Sequence, residues 1–138
     1  MINAIIAGIS TALYREFGYE NHMEEIKQGL SEPCFFISCV SPESRRYLGK
    51  LHRRTCQFVI QYFPKSENSW RTECNDTAER MQWCLETIYA DGVPLCGTKM
   101  KYEIVEGTLH FFVNYDGFVY EITDEALMED MEATQNAE

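Results

Sequence analysis

The stretch from Cys34 to Phe63, CFFISCVSPESRRYLGKLHRRTCQFVIQYF, limits the fold more than any other part of the chain. Two apolar, strand-forming runs, CFFISCV and CQFVIQYF, enclose a centre that carries Arg45, Arg46, Lys50, Arg53 and Arg54. From Arg45 to Arg54 there is no acidic residue, in a chain of formal net charge -10. The pattern predicts a long hairpin whose strands are rooted in the core. Its middle is too charged to bury and must project from the body. Such an arm contributes little to folding, so it is expected to touch something else.

Length and composition set the frame for that hairpin. A chain of 138 residues with 45% hydrophobic and 13% aromatic residues can build one domain around its own core. No apolar run approaches the ~20 residues needed to cross a bilayer. The N-terminus, MINAIIAGISTALYREF, has no basic leader region and contains Glu16, so it does not read as a signal peptide. No membrane partner is expected. Of the six cysteines, Cys34, Cys39, Cys56, Cys84 and Cys96 sit in or beside apolar runs, and no CxxC pair occurs. They read as reduced thiols acting as small hydrophobes.

Taken in order, Ile2 to Phe17 predicts a helix. Ile2, Ile5, Ile6, Ile9, Leu13 and Phe17 form one apolar stripe, and Gly18 stands at the C-terminal stop. The opposite face (Asn3, Ala7, Ser10, Thr11) is small enough for something to pack on it. YENHMEEI alternates weakly and reads as a short strand around His22 to Ile26. Cys34 to Val40 and Leu51 to Phe63 are strands, with Ser41 and Pro42 expected to loosen their pairing. Cys56, Phe58, Ile60 and Tyr62 fall on one face and Gln57, Val59, Gln61 and Phe63 on the other, as in a sheet covered on one side. A second helix is expected from about Trp70 to Ala90, striped by Ala78, Met81, Leu85 and Ile88 and stopped at Gly92. Lys99 to Ile122 predicts a three-stranded meander turning at Glu106-Gly107 and again at Asp116-Gly117.

From Glu121 to Glu138 there are seven acidic residues and no basic one. Asp124 can cap a short final helix there, with Leu127, Met128 and Met131 as its apolar face. The fold class expected is therefore α+β. It comprises a mainly antiparallel sheet with a long protruding hairpin, two main helices packed on the sheet and a short C-terminal helix. Residues 1–123 form the single domain, and 124–138 the acidic helix and a fraying tail. That tail is assigned a solubility or steric role.

Chemistry is hard to find in this sequence. Nucleophilic catalysis needs a thiol or hydroxyl with a base in hydrogen-bond reach. Its candidates are Cys34 or Cys56 with His52 or His110, and none lies in a nucleophile motif. The glycines are dispersed singly, so no phosphate-binding loop is present. No spaced set of ligands points to a metal, and no cofactor or catalytic residue is expected. The basic arm, with Tyr47 among its charges, could neutralise phosphates without reading sequence. Elsewhere a chain of pI ≈ 4.7 repels a polyanion.

Several segments together carry a resemblance to a known family. They are the N-terminal amphipathic helix, QGLSEPCFFI, RRYLGKLHRRTCQFVIQYFP, ECNDTAERMQWCLETI and MKYEIVEGTLHFFVNYDGFVYEI. Over Ile2 to about Ile122 the chain resembles the tail-terminator (tail-completion) proteins of long-tailed phages and phage-derived or prophage tail particles. The resemblance implies a non-enzymatic structural protein of the virion tail, assembled in the host cytoplasm. It implies a homo-hexameric ring that caps the tail-tube protein, stops its polymerisation and offers a surface to the head-connector protein. Arg45, Arg46, Lys50, Arg53 and Arg54 are then candidates for contact with a neighbouring subunit, with the tube, or with DNA passing through the lumen. The alternatives are another head-tail joining or minor tail component and, more remotely, a small enzyme or ligand-binding domain.

Overall fold

The computed structural model describes residues 2–23 and 32–120. Helix α1 (Ile2–Phe17) is followed by strands β1 (Glu20–His22), β2 (Cys34–Leu48) and β3 (Leu51–Phe63). Helix α2 (Trp70–Cys84) and strands β4 (Thr87–Ala90), β5 (Val93–Val105) and β6 (Thr108–Tyr120) complete the described chain. The strands form one curled six-stranded sheet in the order β1-β2-β3-β6-β5-β4.

The helix expected at the N-terminus forms over the residues predicted. Ile5, Ile9 and Leu13 are fully buried, Ile6 nearly so, and Gly18 closes the helix at φ 76°, its N–H reaching the Tyr14 carbonyl at 2.8 Å. α1 packs against β4 at one edge of the sheet and against β1 and β2 at the other. The sheet thus curls around this helix. Its buried face carries Phe35 and Ile37 from β2, Cys56, Phe58, Ile60 and Tyr62 from β3, and Leu109, Phe111, Val113 and Tyr115 from β6. Phe17, Tyr19, Phe35 and Tyr62 stack at one end, with ring centroids 5.0–6.1 Å apart.

The expected fold class needs correction. More than half of the described residues are strand, and the sheet is mixed because β1 pairs in parallel with β2, Glu20 beside Cys34. Parallel neighbours cannot be joined by a tight hairpin turn, as the antiparallel pairs of this sheet can. Of the strand expected at His22 to Ile26, His22 is the last residue of β1 (Glu20–His22), Met23 is already a bend, and 24–26 lie outside the described residues. So does the short C-terminal helix expected from Asp124.

The second helix is shorter than its apolar stripe suggested. It ends at Cys84, and Thr87–Ala90 forms β4, with Ile88 and Ala90 buried and Thr87 and Tyr89 exposed. Ile88 does enter the core, but from an edge strand. Thr, Ile and Tyr suit a half-buried strand better than a helix end. Gly92 then acts as half of a turn: Asp91 and Gly92 take φ 53° and 80° and join β4 to β5. Glu106-Gly107 turns as predicted, with φ 53° and 76°. Asp116-Gly117 does not turn. Both residues lie inside β6, opposite Thr55 and Arg54 of β3. A long partner strand was already in place, and continuous ladder pairing outweighed the local turn preference.

The end of α2 is tied to the sheet by Tyr115, whose hydroxyl donates to the Leu85 carbonyl at 2.6 Å in a buried site. Burial pushes this phenol's pKa up, so it remains a donor. Tyr115→Phe should cost about 1–2 kcal/mol, read as a lowered urea midpoint with an unchanged slope.

Candidate assembly interface

The last pair of core residues along β3 and β6 is Cys56 opposite Tyr115. Five further positions, Thr55 to Leu51, carry the strands about 17 Å beyond it. This is the expected arm, but it is built from three strands. β6 follows β3 outward until Tyr120 faces Leu51, and β2 flanks the other side, with Leu48 opposite Leu51. Gly49, at φ 58°, forms the tip with Lys50. The Arg46 guanidinium donates to the Gly49 carbonyl at 2.7 Å.

The register divides the predicted basic residues between two faces. Arg45 lies directly opposite Arg53, on the face carrying Gln57, Val59 and Gln61. Arg46 lies opposite His52, and Ser44 opposite Arg54, on the face that continues the core. Arg45, Arg46, Lys50 and Arg53 are exposed, while Arg54 is half-buried. Arg53 reaches Asp116 at 3.4 Å. The Arg54 Nε is buried and makes no hydrogen bond. Leu48 at the tip is 72% exposed.

This arrangement is poor for stability. Like charges directly opposite one another on a sheet face destabilise the pair, and Arg45 faces Arg53. Asp116 offsets part of that repulsion. It escaped sequence reading because Asp-Gly signals a turn so strongly; only the length of β3 hinted that a third strand could run beside it.

A second feature lies where α1 crosses β4. A cleft of about 370 Å³ is lined by Ala4, Gly8, Thr11, Ile88, Tyr89 and Asp91 among others. Gly8 is what permits this close crossing, since a Cβ there would sit 2.5 Å from the Tyr89 carbonyl oxygen. The small face of α1 anticipated from Ala7 and Thr11 borders the cleft. A glycine in mid-helix between Ile5 and Ile9 was its sequence signal.

The residues considered for catalysis are not brought together. Cys56 points to the core side of β3, whereas His110 lies on the other face, opposite Gln61. Cys34 is two strands away from His110 across β3, and His52 stands on the arm, far along β3 from the Phe63 that pairs with Cys34. Burial raises the thiol pKa values of Cys34, Cys39, Cys56 and Cys74, and pushes Cys84 up to about 12, which disfavours thiolate. The six cysteines are free; Cys96, expected near the core, is exposed on β5. Among the described residues no group of three or more His, Cys, Asp or Glu could hold a metal ion. No helix among them is long and apolar enough to cross a membrane.

A search of curated proteins finds no match. One solved structure, 11% identical, superposes with a TM-score of 0.45 over 89% of this chain and 97% of the other, a likeness too loose to bear on function. The family comparison is decisive. A family model described as phage tail terminator protein matches residues 4–126, a span that takes in α1 from Ala4, α2, the six strands of the described residues and the three-stranded basic arm. The chain therefore belongs to the phage tail terminator family.

Proposed function

We propose that this protein is a non-enzymatic component of the virion tail that forms a six-membered ring on the last ring of tail-tube protein. The ring stops tube polymerisation and offers its other face to the head connector. Family membership supports the terminator role. The observation that carries the role of the arm is the opposition of Arg45 and Arg53 on an exposed ribbon beyond the core. A fold keeps such a costly pair when an external surface uses it.

Arg45, Arg46, Lys50, Arg53 and Arg54 contact an adjacent subunit, the tube protein, or DNA in the lumen. A ring requires two different complementary patches on each subunit; the arm supplies one. Arg45→Glu with Lys50→Glu should abolish capping of purified tubes, seen by electron microscopy as tubes that keep lengthening. The double variant should unfold at a urea concentration no lower than the native chain's, since both side chains are exposed and a carboxylate at position 45 would face Arg53 in place of a like charge. Capping at native levels by that folded variant would refute the role of the arm.

A further inference from the structure

The unexpected course of β6 fixes where the acidic end of the chain begins. Had Asp116-Gly117 turned, the following residues would run back toward the body. Instead β6 continues beside β3 until Tyr120 stands opposite Leu51, at the arm's tip. Residues 121–138 are therefore tethered through Tyr120, which pairs with Leu51, the residue after Lys50. They contain Glu121, Asp124, Glu125, Glu129, Asp130, Glu132 and Glu138 and no basic residue.

The arm offers an anion several favourable contacts. Arg45 and Arg53 repel one another across the strand pair, and a carboxylate between them would relieve this. On the opposite face of the arm, the buried Arg54 Nε is a donor without an acceptor, a state that costs free energy. Glu43 and Asp116 are the acidic residues on the described part of the arm, against Arg45, Lys50, Arg53 and Arg54.

From these observations we infer that the basic tip of the arm is a docking surface for an acidic peptide, and that its occupant is the chain's own segment 121–138. Eighteen residues can span up to roughly 60 Å, well beyond the length of the arm. A short tether gives its ligand an effective concentration of about a millimolar. A second copy's acidic segment, at micromolar protein, competes poorly with that. The inference does not rest on the role of the arm in tail assembly. It does imply that any acidic partner of the arm must first displace this segment.

The test uses the full-length chain at low micromolar concentration. A carbodiimide joins amines to carboxylates already in contact, and the products are separated by size and mapped by mass spectrometry. The expected result is Lys50 linked to carboxylates of 121–138 in the monomer fraction. The yield should fall severalfold in about 0.5 M salt, where charges are screened beyond roughly 4–5 Å. In parallel, Lys50 should be acetylated severalfold faster in a full-length D124N/E125Q/E129Q/D130N/E132Q chain than in the native one. Links confined to Glu43 or Asp116, or an unchanged acetylation rate, would overturn the inference. Links to 121–138 found only in dimers and larger species would overturn it in favour of a second copy as occupant.

Discussion

Gly8→Ala should destabilise the protein by about 1–3 kcal/mol, although alanine is the better helix former. In an isolated helix the same change would be stabilising by ~1 kcal/mol, so the two expectations differ in sign. The reason is the crossing of α1 over β4. The added Cβ would lie 2.5 Å from the Tyr89 carbonyl oxygen and 3.2 Å from its carbonyl carbon, both backbone atoms of a paired strand. Neither can swing aside as a side-chain end would. Either α1 lifts from the sheet or β4 shifts against β5. Urea denaturation of native and variant chains gives the sign directly. A more stable variant would mean that α1 does not press on β4 in solution.

Glu73→Gln should also cost about 2–3 kcal/mol, because one carboxylate gathers three donors. The Tyr62 hydroxyl donates to Oε2 at 2.6 Å, the Lys65 N–H to Oε2 at 2.8 Å, and the Ser66 N–H to Oε1 at 2.9 Å. The clasp holds the loop between β3 and α2 against the start of the helix. An amide keeps the size but loses the charge and one acceptor, and hydrogen bonds to a charged group contribute about 1.5–3 kcal/mol. Burial by itself would raise the carboxyl pKa. The hydrogen bonds from Tyr62, Lys65 and Ser66 more than offset this and hold it below its ordinary value of 4.5.

A carboxyl lowered in the folded state contributes stability that is present above the unfolded value and lost as pH falls through the folded one. The native chain should therefore lose part of its advantage over Glu73→Gln as the pH drops below about 4.5. Urea midpoints of both chains across that range test it. Parallel curves would show that the clasp does not depend on the charge of Glu73.

How much of this was legible beforehand depends on whether local or distant partners decide each element. α1 was readable to its ends, because its stripe and its terminal glycine are local signals. The inward set Cys56, Phe58, Ile60 and Tyr62 was equally plain, since a strand of period two sorts its own faces. Thr87–Ala90 was misread as helix because Ile88 continues the spacing of Met81 and Leu85. Only pairing with β5 shows that it is a strand. Asp116-Gly117 failed in the opposite direction, a strong local turn signal overridden by a neighbour more than fifty residues away.

The candidate interface divides along the same line. The five basic residues of the arm, the acidic residues that end the chain and the family resemblance all came from the sequence alone. These depend on residue identity and local order, which the sequence states outright. The opposition of Arg45 and Arg53, the third strand of the arm, the α1–β4 crossing at Gly8 and the end of β6 opposite Leu51 needed the tertiary structure. Each is a matter of register or of close approach between distant segments. Those are settled by which strands find one another and how tightly the sheet curls around α1, and no local pattern encodes them.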